Sequence, residues 1–324
     1  MKKIYFIGAL LATSLSFGQA TLPYYEPFNY TAASNLGAQG GWVNVNTGDE
    51  VLVEAGNLSY TGLQASLGNS VKFDGGGIDP QQAFTAQTSG IVYSSFIIKV
   101  VSVTGVTDPN GGYSYGLADT STNFASTVWI KPLGAGFQFG INKATATGDT
   151  QYLPTEYALN TNYLVVIAYD LGATKASSIW INPTNLGAVS APASTLTTTT
   201  GTTDRTQIQR VFLRQDSATE TASVVIDEIR VGTTWAQVTP VPLGVAENNI
   251  SGLKVYPNPA KSSLFVTSDN FEAKQVEIYN VLGKMVLSTT VTNAPVNVST
   301  LSSGVYMVKV TEEGKTATRK IVIE

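Results

Sequence analysis

The sequence predicts an all-β protein of two domains, and three observations carry that prediction. Gly 30 and Pro 13 sit among abundant Thr, Ser, Val and Ile with only 13% charged residues, a composition of short strands joined by tight turns. Runs of β-branched and aromatic residues recur along the chain, many with period-two alternation, while no convincing helix-period stretch follows the N-terminus. The 324 residues exceed one ordinary small domain, and Pro240-Val241-Pro242-Leu243-Gly244, followed by Glu247-Asn248-Asn249, interrupts the β pattern.

Taken in order, the chain opens on an address. Lys2 and Lys3 precede an apolar run from Ile4 to Phe17 and small residues at Gly18 and Ala20, so residues 1–20 read as a signal peptide for Sec export. The run is too short to span a membrane, and no other segment approaches ~20 apolar residues, so no transmembrane segment is expected. The expected location is the medium or the outer-membrane surface. Residues 21–238 form the larger domain, with strands expected at Ser70–Phe73, Ile91–Val103, Tyr113–Leu117, Thr127–Lys131, Phe137–Ile141, Tyr163–Tyr169, Ser177–Ile181, Gln207–Arg214 and Ser223–Val231. This number of strands fits a large two-sheet jelly roll. The Thr-rich stretch 190–203 is expected as a polar loop. A linker follows at 239–250, and the short alternating segments of 251–324 predict a small immunoglobulin-like antiparallel sandwich.

Two absences narrow the chemistry. Without Cys there is no disulfide or thiolate, and without His there is no Ser-His-Asp triad and no histidine zinc site. Residues 21–245 hold 16 acids against 9 bases, whereas residues 246–324 hold 7 against 8. An acidic larger part without a basic patch disfavours nucleic acid as a partner. Arg205, Arg210 and Arg214 come close together, but Asp204 and Asp216 flank them, as on a mixed-charge strand face.

Four blocks in the last ~75 residues carry a resemblance: Tyr256-Pro257-Asn258-Pro259-Ala260, Ile278 to Lys284 with Gly283, Leu301 to Tyr306 with Gly304, and Lys315 with Lys320-Ile321-Val322-Ile323. In this order and spacing they resemble the type A C-terminal sorting domain of type IX secretion. The resemblance implies recognition by the outer-membrane export machinery after Sec export, with the terminal strand as the part expected to be read. The larger domain resembles the concanavalin A-like group in its laminin-G-like variety, through Glu26-Pro27-Phe28 with Gly40-Gly41-Trp42, through Ile179 to Pro183, and through Val225 to Gly232 before Trp235. That fold hosts lectins, glycosidases, lyases and spacers alike.

Retaining glycosidases of this fold use a Glu-x-Asp-x-x-Glu strand, and no Glu-x-Asp occurs in residues 21–240. Asp227-Glu228 is no substitute, because neighbouring strand residues point to opposite faces; Asp227 is expected to be structural and Glu228 solvated. The expectation is therefore a non-enzymatic module that binds polysaccharide or acts in adhesion, with an envelope spacer or a polysaccharide-cleaving enzyme as alternatives. Tyr113 and Tyr115, two residues apart beside the loop holding Asn110, are the expected aromatic platform for a sugar ring. Calcium is the one cofactor considered, with Asp74, Asp79 and Asp227 as candidate ligands.

Overall fold

The structure, a computed structural model, describes residues 19–242, 250–292 and 294–324. Nearly all of the expected signal peptide and most of the expected linker lie outside the described residues. The chain divides between Pro242 and Leu243 into two compact units.

The first unit runs through β1 (Tyr24–Glu26), β2 (Trp42–Asn44), β3 (Leu52–Glu54), β4 (Ser70–Phe73), β5 (Pro80–Gln87), β6 (Ile91–Ser102), β7 (Gly112–Ala118), β8 (Phe124–Leu133), β9 (Gly136–Asn142), β10 (Gln151–Tyr152), β11 (Asn162–Asp170), β12 (Ser177–Ile181), β13 (Leu196–Thr198), β14 (Ile208–Leu213) and β15 (Ser223–Gly232), then a short helix α1 (Trp235–Val238). Two antiparallel sheets result. The first is ordered β13-β12-β11-β6-β15-β4-β3, with β1 also paired to β15, and the second β10-β9-β8-β7-β14-β5-β2. Alternation places one face of each strand in the shared core: Phe137, Phe139 and Ile141 of β9 point inward, and Gln138 and Gly140 outward.

The middle strands of the first sheet are apolar on both faces because both faces are covered. Leu58 and Leu63 of the β3–β4 connection pack on Ile97, Leu164 and Val225, while Trp235 and Val238 of α1 pack on Tyr93, Val166 and Trp180. Near-continuous apolar runs in β6, β11 and β15 are the sequence image of that double burial.

The opening motif has a structural explanation in Glu26, which is only 3% exposed. Its carboxylate accepts hydrogen bonds from the Phe28 amide at 2.8 Å, Trp42 Nε1 at 2.9 Å, the Tyr30 hydroxyl at 2.8 Å and the Tyr24 hydroxyl at 3.0 Å. A buried carboxylate is tolerated when donors replace its hydration, and these four tie the N-terminal segment down.

Two local expectations fail. The Thr-rich stretch is not wholly loop, since Leu196–Thr198 pairs with β12 along an otherwise open edge. Pro80–Gln87, not among the strands expected, is held in the sheet by its partners β14 and β2.

The second unit comprises β16 (Lys254–Tyr256), β17 (Ser263–Thr267), β18 (Lys274–Asn280), β19 (Met285–Val291), β20 (Val296–Asn297), β21 (Gly304–Glu312) and β22 (Lys315–Ile323). They form a three-stranded sheet, β16-β17-β20, and a four-stranded sheet, β19-β18-β21-β22. Leu264, Val266, Val276, Ile278, Val308 and Ile321 fill the core of this small sandwich.

Candidate functional site

Tyr113 and Tyr115 do not form an exposed platform. The β7–β8 register shifts between Tyr113 and Tyr115 and again before Leu117, so the two rings leave the common face that simple alternation predicts. Tyr115 is fully buried in the main core, stacked on Phe96 at 3.8 Å between centroids, with its hydroxyl 2.6 Å from Ser94 Oγ. Tyr113 is 7% exposed and packs on Trp129 and Phe212 on the outer side of the second sheet, with the Arg214 guanidinium 4.8 Å from its ring centre. Burial raises both phenols well above the usual tyrosine range; Arg214 opposes the rise at Tyr113 and the Ser94 hydrogen bond opposes it at Tyr115. Asn110 is exposed, and its carbonyl accepts the Tyr152 hydroxyl.

The three aspartates do not form a calcium site. Asp79 Oδ2 is 2.8 Å from Arg214 Nη1 and also accepts from Asn46, while its Oδ1 accepts the Gln215 amide. Asp227 is engaged by the amides of Leu58 and Glu228, each at 2.7 Å. Asp74 is exposed, and among the described residues no group of three or more acidic side chains is placed to hold a metal ion. Asp79 has its oxygens engaged by Arg214, Asn46 and the Gln215 amide, Asp227 by two backbone amides, and Asp74 belongs to no such group among the described residues, so these residues do not fit calcium.

Asp227 and Glu228 fall at a bulge in β15, where its neighbour changes from β4 to β1. Glu228 has φ 58 and is fully buried, which corrects the expectation that it is solvated. Its carboxylate accepts from the Tyr25 hydroxyl at 2.7 Å and the Leu67 amide at 3.0 Å, and pairs with Arg230 at 2.5 Å. The bulge turns a pair that resembles catalytic carboxylates into a buried fastening for the β3–β4 connection.

On the outer face of the second sheet other groups stay free. Arg210 lies in register between Ala83 of β5 and Ala118 of β7 and is half-buried. Among the described residues it forms no ion pair, and its buried Nε has no acceptor. Diagonally across β5, Gln81 donates to the Ser121 carbonyl at 2.7 Å, but its buried Oε1 has no donor. Asp119, next to Ala118, also leaves a buried Oδ1 unpaired. Buried polar atoms are nearly always paired, and an ordered water is the usual partner of one that no protein group reaches. Arg205 Nε donates to the Phe124 carbonyl, and Arg214 pairs with Asp79 and Asp216 through its Nη groups, although its Nε, like that of Arg210, has no acceptor. A separate groove of about 590 Å³ at the β3 edge is lined by Asp49, Glu50, Glu54 and Asp74, with Lys72 as its one cation.

In the second unit the motif residues converge on the terminal strand. Ala260 donates its amide to Val322 O at 2.8 Å and accepts from the Glu324 amide at 2.9 Å. Asn258 donates from Nδ2 to Lys320 O at 3.2 Å and accepts the Val322 amide on Oδ1 at 2.9 Å. Tyr256 stacks on Phe265 at 5.6 Å, and the Tyr306 hydroxyl reaches Ser302 O. Gly283, at φ 78, closes the turn that Asn280 caps through the amides of Leu282 and Lys284. Gly304 begins β21, and Pro257 and Pro259 flank Asn258.

Residues 254–324 match the family described as the secretion system C-terminal sorting domain. The second unit is a type IX sorting domain. Such a sorting domain implies a secreted or cell-surface protein that engages the type IX machinery. Among the described residues no helix is long and apolar enough to cross a membrane.

A curated relative, the ulvan lyase NLR42 of Nonlabens ulvanivorans, is 29% identical over 85 residues, which is 25% of this chain and 16% of that protein. The chain thus spans about a sixth of the relative's length. Among solved structures, lectin UEA-II complexed with galactose is similar at 12% identity and TM-score 0.36, with 65% of this chain and 98% of that chain covered. The endo-beta-1,4-glucuronan lyase from the fungus Trichoderma reesei is similar at 14% identity and TM-score 0.33, with 67% and 98% covered. Both scores are low, and the two-sheet architecture ahead of the sorting domain rests on its own strand order.

The expectation that the chain has no enzymatic role is corrected by the ulvan lyase match. That expectation rested on the missing carboxylate pair for hydrolysis and, for a lyase with Tyr113, Tyr115 or Tyr169 as base, on the lack of a histidine or basic cluster beside them. Elimination requires no histidine: it needs a group that takes a carbon-bound proton and a cation beside the developing charge.

Proposed function

We propose that the first unit engages polysaccharide on the outer face of its second sheet, and that the sorting domain delivers it to the cell surface. The observation that carries this reading is Arg210, half-buried on that face and without an ion pair among the described residues. Its guanidinium offers a planar fork for a carboxylate, which favours uronate-bearing chains over neutral ones. A second reading, cleavage of the bound chain, is favoured by the similarity to an ulvan lyase.

Affinity electrophoresis of the full chain in gels holding neutral or carboxylated polysaccharide tests both readings. Arg210→Ala is expected to weaken retention about tenfold or more, since hydrogen bonds to a charged group contribute about 1.5–3 kcal/mol. Gln81→Ala is expected to do less. Equal retention of wild type and both variants would remove this face as the site. Unsaturated sugar ends released during incubation would mark cleavage.

A further inference from the structure

We propose that Asn258 is the positioning residue of the sorting domain: it fastens the outer edge of β22, so that the export machinery meets the terminal strand inside a folded sheet and not as a free extended peptide. The proposal rests on the sorting-domain reading and adds how the signal is presented.

β22 is the last strand of its sheet, paired with β21 from Lys315 to Ile323. Its other side would present unpaired amides and carbonyls, which invite strand addition. The segment from Asn258 to Ala260 covers that side near the terminus. Pro257 and Pro259 have no amide proton and cannot act as ladder donors. The Asn258 side chain replaces the missing backbone: its amide group carries a donor and an acceptor like a peptide unit, and it meets both Lys320 O and the Val322 amide. Ala260 continues the pairing to Val322 O and to the Glu324 amide, so the edge is filled to the last residue. Further up the strand, exposed Lys315, Arg319 and Lys320 oppose the approach of another strand.

Strand addition at residues 320–324 is therefore closed, and recognition falls on exposed side chains of the same sheet. Met285, Tyr279, Met307 and Lys320 stand in register across its four strands, with Val305 opposite Val322 beside them. Met285 is 50% exposed and Met307 40%. This row exists as a surface only while β22 is held in place.

The test uses the full chain in a bacterium with the type IX route, as wild type, Asn258→Ala and Asn258→Asp, the last keeping the acceptor for Val322 and losing the donor to Lys320. Two quantities are read: amide exchange of the C-terminal peptide in purified protein, and the fraction of chain at the surface or in the medium. Asn258→Ala is expected to speed exchange at residues 320–324 by about tenfold or more while the other strands of the unit stay protected. Its exported fraction is expected to fall several-fold, with Asn258→Asp between it and wild type. Faster exchange with undiminished or increased export would overturn the proposal, as would unchanged exchange. If Asn258→Ala unfolds the whole unit, the Asp variant decides by the same two readouts. A wild-type chain that stays in the periplasm would refute the sorting reading itself, whereas failure of the clamp alone leaves wild-type export intact.

Discussion

The two units use their motif residues in opposite ways. In the first sandwich Glu26, Asp79 and Asp227 are consumed by internal hydrogen bonds that pin loops to sheets. In the sorting domain Asn258, Gly283 and Lys320 lie at edges and turns and hold or display the terminal strand. The difference teaches that a short motif marks where the chain needs a special fastening, and only its position relative to solvent says whether a partner can use it. Arg210 of the first unit, without an ion pair among the described residues, takes part in none of these fastenings.

The largest effect expected inside this contrast comes from Tyr115→Ala. Removing a fully buried ring stacked on Phe96 should cost the first unit about 4 kcal/mol. In a denaturant titration of the full chain its transition should move while that of the sorting domain stays in place; a shift below about 1 kcal/mol would mean that the ring is not core. The sorting domain holds a buried charge pair, Lys274 with Glu312 at 2.8 Å, the two side chains 1% and 4% exposed. Lys274→Ala leaves that carboxylate uncompensated and should cost about 3 kcal/mol, this time moving only the second transition.

A smaller effect is expected from pH. Burial raises the Asp227 carboxyl to about 8, with the Leu58 and Glu228 amides opposing the rise. In an unfolded chain the same group titrates near 3.9. Between those values the folded unit holds a proton that the unfolded chain has released, so the stability of the first unit falls as pH rises through this window and levels off above it. Asp227→Asn should flatten that slope in thermal melts taken across the window; an unchanged slope would assign the pH dependence to another group.

Much of the fold was legible because alternation and turn residues report burial directly. The strands β6, β11 and β15 were read from their β-branched and aromatic runs, whereas the cover on both faces of their sheet comes from segments far away in sequence. The site was less legible, for two physical reasons. Register shifts at Tyr115, beside Gly116, and at Glu228, where no glycine adjoins, break period-two alternation, so faces inferred from spacing came out wrong there. Whether a polar side chain is free depends on partners far away in sequence: Arg214 meets Asp79, 135 residues away, while Arg210, four positions earlier, meets none among the described residues. Nothing local separates those two arginines.

The most direct test of the account is a crystal structure of the full chain with a uronate-bearing oligosaccharide. A sugar carboxylate is expected against the Arg210 guanidinium on the outer face of the second sheet. A sugar bound instead in the acidic groove of Asp49, Glu50, Glu54 and Asp74, with Arg210 still unpaired, would contradict it.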